Sequence, residues 1–497
     1  MKNHEHDNQH GCGCDCGCDR REFMTASAAG AMGMTWLTSV TEAAEASPAP
    51  KKKEKAVVRA VFIYPPSTSF SEDPDGWWSW PGNDFDAEGR QRKYVAEFAE
   101  IERRLGVTIA VDKKPIANRA DAERLAKELQ TDKPDGLLLV MFYNRSLGEA
   151  DLLLKVAEET AIPAIFYIGL GVKHGPVAHY RRPGVYFIQS LDNFEAIESG
   201  VRMIHAKKAM GQATLLSIDE ADAKSEGRET FFGTTVRVVP FSRYAELFGQ
   251  MEINNNAKKL IGRITRDSMK YEGISRQSLE NAARAHLALK QLLAEENADG
   301  LTMNCLRRGM LKPCISFAML NNELIPAACE NHLSATYSQL LGQLLIGRPG
   351  FQHNPAFETE RNHYYGSHCT CPTMLDGPQG KESPYLLHRF AHTNEGSCAI
   401  QVFWEPDDPV TMVHYRPGDE PSLDVYSGRV VKSHPTPPAA GCTTNVEIEI
   451  TDRPDVCMVR GHHNILYRGD FARRFRMFAL LHKLPLTESG YPGPWPM

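Results

Sequence analysis

Apolar segments of strand length alternate with helical periodicity over most of the first 350 residues. Gly136–Phe142 and Ala164–Ile168 are continuous apolar runs, and the amphipathic segments Ala120–Leu129 and Gly148–Thr160 accompany them. A strand that is apolar at every position is buried on both faces, which is typical of a parallel sheet covered by helices. The pattern therefore predicts a doubly wound α/β unit that begins at the strand Val57–Tyr64.

The pattern continues in a second unit and then changes. Val236–Pro240 and Gly300–Met303 have the composition of strands, and helical segments continue to Leu333–Ile346. After about residue 350, alternating runs separated by Gly and Pro favour an antiparallel sheet or barrel, with a last amphipathic helix at Asp470–Leu484. At roughly 150 residues per domain, 497 residues suggest about three domains. We expect α/β domains at 56–180 and 181–346, and a β domain with a final helix at 347–497.

The first 46 residues contain the parts of an export signal in order. Arg20-Arg21 is followed by Phe23, the weakly apolar stretch Ala26–Val40 and the small-x-small site Ala44-Glu45-Ala46. This arrangement resembles a twin-arginine signal. It predicts that residues 1–46 are cleaved off, that 47–55 form a linker, and that the protein is periplasmic or extracellular. A stable membrane anchor is not expected, because it needs about 20 strongly apolar residues.

The cysteines fall into two groups. Cys12, Cys14, Cys16 and Cys18 alternate within the leader, a spacing unlike the C-x₂₋₄-C of structural zinc sites, and their role stays open between metal binding and a discarded disordered leader. The other eight are sparse for so large a body and do not suggest a disulfide scaffold. Whether the pair in Cys369-Thr370-Cys371 chelates or oxidises also stays open.

The charge of the chain argues against nucleic-acid binding. The net charge is −6, and without residues 1–46 the body has 53 basic and 55 acidic residues. A nucleic-acid-binding surface requires clustered basic side chains that neutralise phosphates. The one basic run, Lys51–Lys55, lies in the predicted linker. We therefore expect no nucleic-acid partner.

Carboxylate and imidazole side chains follow several of the apolar runs. Glu330 ends a predicted strand, and His353, His368 and His463 occur in later segments. Ligands of open α/β sheets bind beyond the carboxyl ends of the strands, and carboxylate with imidazole suits a divalent ion such as Mn²⁺. Taken singly, Glu330 also fits a carboxylate at a helix N-terminus, and each histidine fits a hydrogen-bonded structural role.

These segments together resemble the L-fucose/L-arabinose isomerase family, mainly over residues 299–484. The resemblance rests on Ala328-Cys329-Glu330, Leu344–Pro349, Gly366–Cys369 and the segment from His462-His463 to Gly469-Asp470. It implies two Rossmann-like domains followed by a β-barrel, and homo-oligomers with active sites near subunit boundaries. It further implies Mn²⁺-dependent interconversion of an aldose and a ketose, with a free monosaccharide as substrate.

The resemblance also assigns residues. Glu330 matches the first acidic metal ligand and proton-transfer group, His463 matches a late histidine ligand, and His368 resembles a further histidine ligand. The second acidic group falls at Asn354, which is a departure, because an amide cannot act as a carboxylate base. Either Glu358 or Glu360, a few residues on, could supply the missing carboxylate. If the assignment holds, ligand atoms of Glu330 and His463 should lie within roughly 3–5 Å of each other.

Isomerisation moves a proton between adjacent carbons through an ene-diol, so it needs a base, a proton shuttle and a cation that stabilises the oxyanion. Paired carboxylates around one ion meet these needs, and Asn354 removes one of them. The alternative function is therefore an exported, non-catalytic sugar-binding protein on the same scaffold. A lyase or epimerase that uses the same metal and Glu330 is a third hypothesis.

Three tryptophans are candidate sugar contacts. Trp77, Trp78 and Trp80 follow the first predicted strand in a segment rich in Gly, Pro and Asp. Exposed indole rings stack well on the C–H faces of sugars. Packing within a long loop is the alternative role for these side chains.

Overall fold

A computed structural model describes residues 53–69, 86–173, 175–306, 308–389, 396–436 and 442–487. Over these residues the chain is mixed α/β, with two five-stranded sheets of mainly parallel strands and a closed six-stranded antiparallel barrel. The predicted signal at 1–46 and the tryptophans Trp77, Trp78 and Trp80 lie outside the described residues. No helix in the described part of the chain combines the length and apolarity needed to cross a bilayer.

The first sheet consists of five parallel strands, numbered here in chain order. In space they lie in the order β2-β1-β3-β4-β5. The strands are β1 (Val57–Ile63), β2 (Thr108–Val111), β3 (Gly136–Met141), β4 (Ala164–Gly169) and β5 (Val185–Ser190). The accompanying helices are α1 (Ala87–Leu105), α2 (Arg119–Thr131), α3 (Leu147–Glu159) and α4 (Phe194–Gln212). β3 and β4 are buried at every position, as their continuous apolar sequences predict.

Helices cover both faces of this sheet. Phe62 of β1 packs against Tyr94 and Phe98 of α1 on one face. The next residue, Ile63, belongs to a core on the other face together with Leu125 of α2. Successive side chains of a strand point to opposite faces, so each strand contributes to both cores, at roughly 2 kcal/mol for each fully buried large side chain.

The second sheet contains four parallel strands and one antiparallel edge strand, β7. Its strands along the chain are β6 (Thr214–Asp219), β7 (Ser225–Arg228), β8 (Thr235–Pro240), β10 (Gly300–Met303) and β11 (Ala327–Cys329). In space they lie in the order β11-β10-β6-β8-β7. Its helices are α5 (Phe241–Gln250), α6 (Asn255–Asp267), α7 (Arg276–Glu295), α8 (Cys314–Asn322) and α9 (Leu333–Ile346). Only three residues separate β11 from α9.

The barrel follows α9 directly and closes in the order β12-β13-β18-β17-β16-β19. Its strands are β12 (Phe351–Glu358), β13 (His363–His368), β16 (Pro409–Arg416), β17 (Ser422–Ser433), β18 (Thr444–Ile450) and β19 (Asn464–Arg468). A separate three-stranded sheet contains β9 (Lys270–Glu272), β14 (Tyr385–Arg389) and β15 (Cys398–Val402). The last described helix is α10 (Ala472–Leu481).

The prediction of α/β structure followed by an antiparallel β-barrel is confirmed at this coarse level. The run 457–466, whose composition is typical of a strand, is a strand only from Asn464 onward, because 456–458 form a short 3₁₀ turn. The first sheet includes β5 and so extends beyond the boundary predicted at residue 180. Apolar periodicity locates strands along the chain but does not identify their partners.

A close contact between α9 and β19 depends on a glycine. The Tyr467 hydroxyl donates to the carbonyl of Ser338, and a Cβ added at Gly342 would lie 2.1 Å from the Tyr467 Oη. Gly342→Ala should therefore lower the free energy of unfolding by about 2 kcal/mol, because the tyrosine ring must move within a packed core. Urea denaturation followed by circular dichroism measures this change.

Gly262→Ala is the matched control. Gly262 lies in the exposed part of α6, and a Cβ there would meet nothing within 4 Å. Alanine has the higher helix propensity, so this variant should be more stable by about 0.5–1 kcal/mol. Equal effects of the two substitutions would contradict the proposed packing of α9 on β19.

Candidate metal centre

Glu330 lies in a strained turn between β11 and α9. Glu330 and Asn331 have φ values of 62° and 53°, a region that costs a non-glycine residue about 1 kcal/mol or more. The Asn331 side chain holds the turn: its Nδ2 donates to Asp219 Oδ2 at 2.8 Å, and its Oδ1 accepts from Ser217 Oγ at 2.7 Å. The second sheet thus fixes where the Glu330 carboxylate lies, and such strain is concentrated at functional sites.

His332 forms the N-cap of α9. Its Nδ1 accepts a hydrogen bond from the backbone N–H of Ala335 at 3.3 Å. Burial lowers the pKa of His332 well below its ordinary value, and the neighbouring His463 and His414 lower it further. The neutral ring therefore carries its proton on Nε2, because Nδ1 accepts. His332 presents an N–H donor to its surroundings.

Two histidines of the barrel approach the carboxylate. His368 is the last residue of β13, and His463 directly precedes β19 with a positive φ of 59°. Both are 1% exposed. Glu330 Oε1 lies 3.6 Å from His368 Nε2, and Glu330 Oε2 lies 3.4 Å from His463 Nε2. The expected proximity of Glu330 and His463 is thus observed, although 133 positions separate them in sequence.

The two contacts are too long for good hydrogen bonds. Within the described residues, neither His368 Nε2 nor His463 Nε2 has a hydrogen-bond partner, although both atoms are buried. An unsatisfied buried polar atom costs roughly 1–3 kcal/mol, so such atoms call for a specific explanation. A cation bound between Glu330, His368 and His463 would satisfy the carboxylate and both Nε2 atoms, and the residues present therefore fit a divalent metal ion.

The electrostatics of the group also favour a positive charge beside Glu330. Burial raises the pKa of Glu330, but the two histidines outweigh it and the net pKa is well below its usual range. Burial lowers the pKa of His463 to about 4, while for His368 the Glu330 carboxylate outweighs burial and the net pKa is raised. Glu330 is therefore a carboxylate anion near neutral pH, as a metal ligand must be.

Further imidazole rings surround this group. The ring centroids of His332 and His463 are 4.7 Å apart, and those of His462 and His463 are 4.2 Å apart. Ligand atoms of these three histidines all lie within 4.8 Å of one another. His462 is exposed, so this side of the cluster meets solvent. The pair His462-His463 was part of the sequence resemblance, but the positions of His332 and His462 beside the site were not predicted.

Asn354 lies at the same end of the barrel. The β12–β19 ladder ends at the pair His353–Asn464, so the next position is occupied by Asn354 on β12 and by His463, which directly precedes β19. Gln352, on the same face of β12 as Asn354, accepts from Cys329 N at 2.6 Å. This face is therefore turned toward the end of β11. The Oδ1 of Asn354 is buried and has no hydrogen-bond partner among the described residues.

The structure does not bring Glu358 or Glu360 to Asn354. Glu358 ends β12 opposite His363, and Glu360 lies in the exposed turn that follows. Glu358 lies four positions beyond Asn354 along the extended strand, which is about 13 Å. The idea that either glutamate supplies the missing carboxylate is wrong, because the hairpin carries both of them away from the site.

Comparison with known proteins adds little to this geometry. No family model and no curated protein matches the chain. Among solved structures 24 chains match. One of them is the crystal structure of GanP, a glucose-galactose binding protein from Geobacillus stearothermophilus, which is 13% identical, with 59% of this chain and 92% of that chain covered and a TM-score of 0.18. A likeness this low carries no argument about fold or ligand.

Proposed function

We propose that this protein is a metal-dependent aldose–ketose isomerase that acts on a free monosaccharide by ene-diol proton transfer. The observation that supports the proposal is the Glu330 carboxylate between two buried imidazole nitrogens, His368 Nε2 and His463 Nε2, that have no hydrogen-bond partner within the described residues. One carboxylate and two imidazoles are a ligand set that binds first-row divalent ions. The resemblance to sugar isomerases makes Mn²⁺ the expected ion.

A bound divalent ion would polarise the sugar carbonyl and stabilise the negative charge that develops on its oxygen. Glu330 takes the proton from the carbon beside the carbonyl and returns it to the former carbonyl carbon. His332 carries its proton on Nε2, so it can give this proton to one substrate oxygen and receive the proton that the other oxygen loses. The net result is an aldose converted to a ketose with no change in atoms or charge.

Asn354 supports a second candidate function, binding of a sugar without turnover. An amide oxygen can accept a hydrogen bond from a hydroxyl group, but it cannot abstract a proton from carbon at neutral pH. The Asn354 Oδ1 is buried without a partner, which leaves it available to a ligand hydroxyl or an ion. If His332 and Glu330 suffice for proton transfer without a second carboxylate, the protein is an isomerase. If they do not, it binds the sugar without converting it.

The rest of the proposal concerns the scaffold. We infer that the two mainly parallel sheets are Rossmann-like. The order β2-β1-β3-β4-β5 of the first sheet supports this, because it is an order of doubly wound folds. Homo-oligomers with sites near subunit boundaries, and export by a twin-arginine signal in residues 1–46, are further parts of the proposal. They rest on the sequence alone.

The proposal is tested by metal content followed by turnover. Protein purified without chelator should contain at least one divalent ion per chain by mass spectrometry. Chelator-treated protein resupplied with Mn²⁺ should convert at least one member of a panel of aldoses to its ketose. Saturable sugar binding without any conversion would favour the sugar-binding function, and absence of both metal and sugar binding would contradict both functions.

His332→Asn tests the proton-transfer role assigned to His332. Asparagine is a good N-cap, so this variant keeps the cap of α9 and should unfold at nearly the same denaturant concentration as the wild type. Turnover should fall about 100-fold, because asparagine cannot exchange a proton with the substrate. His332→Ala, which removes both functions, should also lose about 1 kcal/mol of stability. Unchanged kcat in the stable His332→Asn variant would exclude this role.

A further inference from the structure

A second group of metal-ligating side chains lies on the other side of His368. While Nε2 of this ring faces Glu330, its Nδ1 lies 3.7 Å from Cys369 Sγ. Ligand atoms of His368, Cys369 and Cys442 all lie within 4.8 Å of one another. Cys369 Sγ also lies 3.4 Å from Cys314 Sγ. His368 Nδ1, Cys369 and Cys442 therefore form one close group, and Cys314 adds a third sulfur on the Cys369 side of it.

The thiols come from three separate parts of the fold. Cys314 is the first residue of α8, Cys369 follows β13 directly, and Cys442 lies two residues before β18. Cys314 and Cys369 are 2% and 3% exposed, and they pack together with Ala399 in a small cluster that Cys442 covers. A single buried cysteine is usually a small core residue. Three that meet beside a histidine form the donor set of a metal site.

We propose that Cys369, Cys442 and Nδ1 of His368 bind a soft or borderline metal ion, of the type of Zn²⁺, with Cys314, which contacts Cys369, as the fourth ligand. Thiolate and imidazole are the ligands such ions prefer, and three cysteines with one histidine form a common closed zinc site. In such a site, sulfurs at about 2.3 Å from the metal are roughly 3.8 Å apart. The 3.4 Å between the sulfurs of Cys369 and Cys314 is close to this value. Binding involves no oxidation: each thiol loses its proton to solvent as its sulfur binds the ion.

This thiolate site does not depend on the proposed isomerase activity, but the two sites share the imidazole of His368. The experiment must therefore remove each site separately. Cys369→Ser removes the sulfur around which the cluster converges and leaves the Glu330 carboxylate in place. Glu330→Gln removes the carboxylate that faces the other edge of the ring and leaves all three sulfurs. His368 itself is unsuitable, because its loss would damage both sites.

The experiment is a titration of metal-free full chain with Cd²⁺, whose thiolate complexes absorb in the ultraviolet through sulfur-to-metal charge transfer. The leader thiols are first removed by Cys12→Ser, Cys14→Ser, Cys16→Ser and Cys18→Ser, so that they do not bind the probe. This parent protein should develop the absorption and saturate at one equivalent, and addition of Zn²⁺ should displace the Cd²⁺. Glu330→Gln in the same parent should give the same absorption.

Cys369→Ser should lose the absorption. Cys442→Ser changes a half-buried position and should weaken Cd²⁺ binding at least tenfold. This second variant keeps the test available if Cys369→Ser fails to fold. Cys457→Ser is the control, because Cys457 is an exposed thiol outside the cluster, and it should behave as the parent. The proposal fails if the parent shows no absorption, or if the absorption persists in folded Cys369→Ser. A Cys314–Cys369 disulfide in the purified protein, found by peptide mapping, would also overturn it.

Discussion

Glu330→Gln should abolish both Mn²⁺ binding at the centre formed by Glu330, His368 and His463 and isomerase turnover. Glutamine has nearly the same shape, but it removes the only carboxylate that the described residues place between His368 and His463. We expect Mn²⁺ affinity to fall at least about 100-fold, because loss of a ligand exceeds the 10–100-fold cost of losing a residue that merely orients one. Turnover should fall at least about 10⁴-fold, because the same side chain is also the proton-transfer group.

The matched control is Glu358→Gln on β12. Glu358 is a half-buried carboxylate on a strand of the same barrel, about 13 Å along that strand from Asn354, so its loss should change neither metal affinity nor turnover. Circular dichroism and isothermal titration of both variants separate misfolding from loss of a ligand. Retention of stoichiometric Mn²⁺ binding by folded Glu330→Gln would refute the metal centre, and retention of turnover would refute the catalytic role.

Sequence reasoning located the ends of the strands that carry the site. Glu330 follows a short apolar run, and the rule that ligands bind beyond the carboxyl ends of parallel strands made it a candidate. The resemblance to sugar isomerases added His368 and His463, and the structure places both within 3.6 Å of the carboxylate. These residues could be predicted because each lies next to the end of a strand, and strand ends can be recognised from the local sequence.

The remaining features depend on long-range geometry. No local pattern predicts that Glu330, Asn331 and His463 adopt positive φ, because the hydrogen bonds that hold the first two come from strands more than 100 residues away. The contact between Cys314 and Cys369 was not predicted, since it joins α8 to the end of β13. Helix α8 itself was missed because eight of its nine residues are buried, which leaves no polar face to give periodicity.

Asn354→Asp should convert the departure from the isomerase pattern into a second acidic ligand. Asn354 is adjacent to His463 across the end of the β12–β19 ladder, and its buried Oδ1 has no partner within the described residues. A carboxylate here would sit near Glu330, so without metal the two negative charges should lower the stability of the protein. With Mn²⁺ bound, the added charge should raise metal affinity at least about tenfold, which corresponds to about 1.4 kcal/mol.

The decisive measurement is the shift of the thermal midpoint on adding Mn²⁺, because it reports binding to the folded state alone. The shift should be larger for Asn354→Asp than for the wild type, and absent in the double variant that also carries Glu330→Gln. Asn354→Leu, of similar volume and without polar atoms, should show a shift no larger than that of the wild type. If proton transfer is limited by the missing base, Asn354→Asp should also raise turnover at least about tenfold. A larger shift without any rise in turnover on the aldose panel would place Asn354 in the metal site and favour the sugar-binding function. An unchanged shift would show that Asn354 is not part of the metal site.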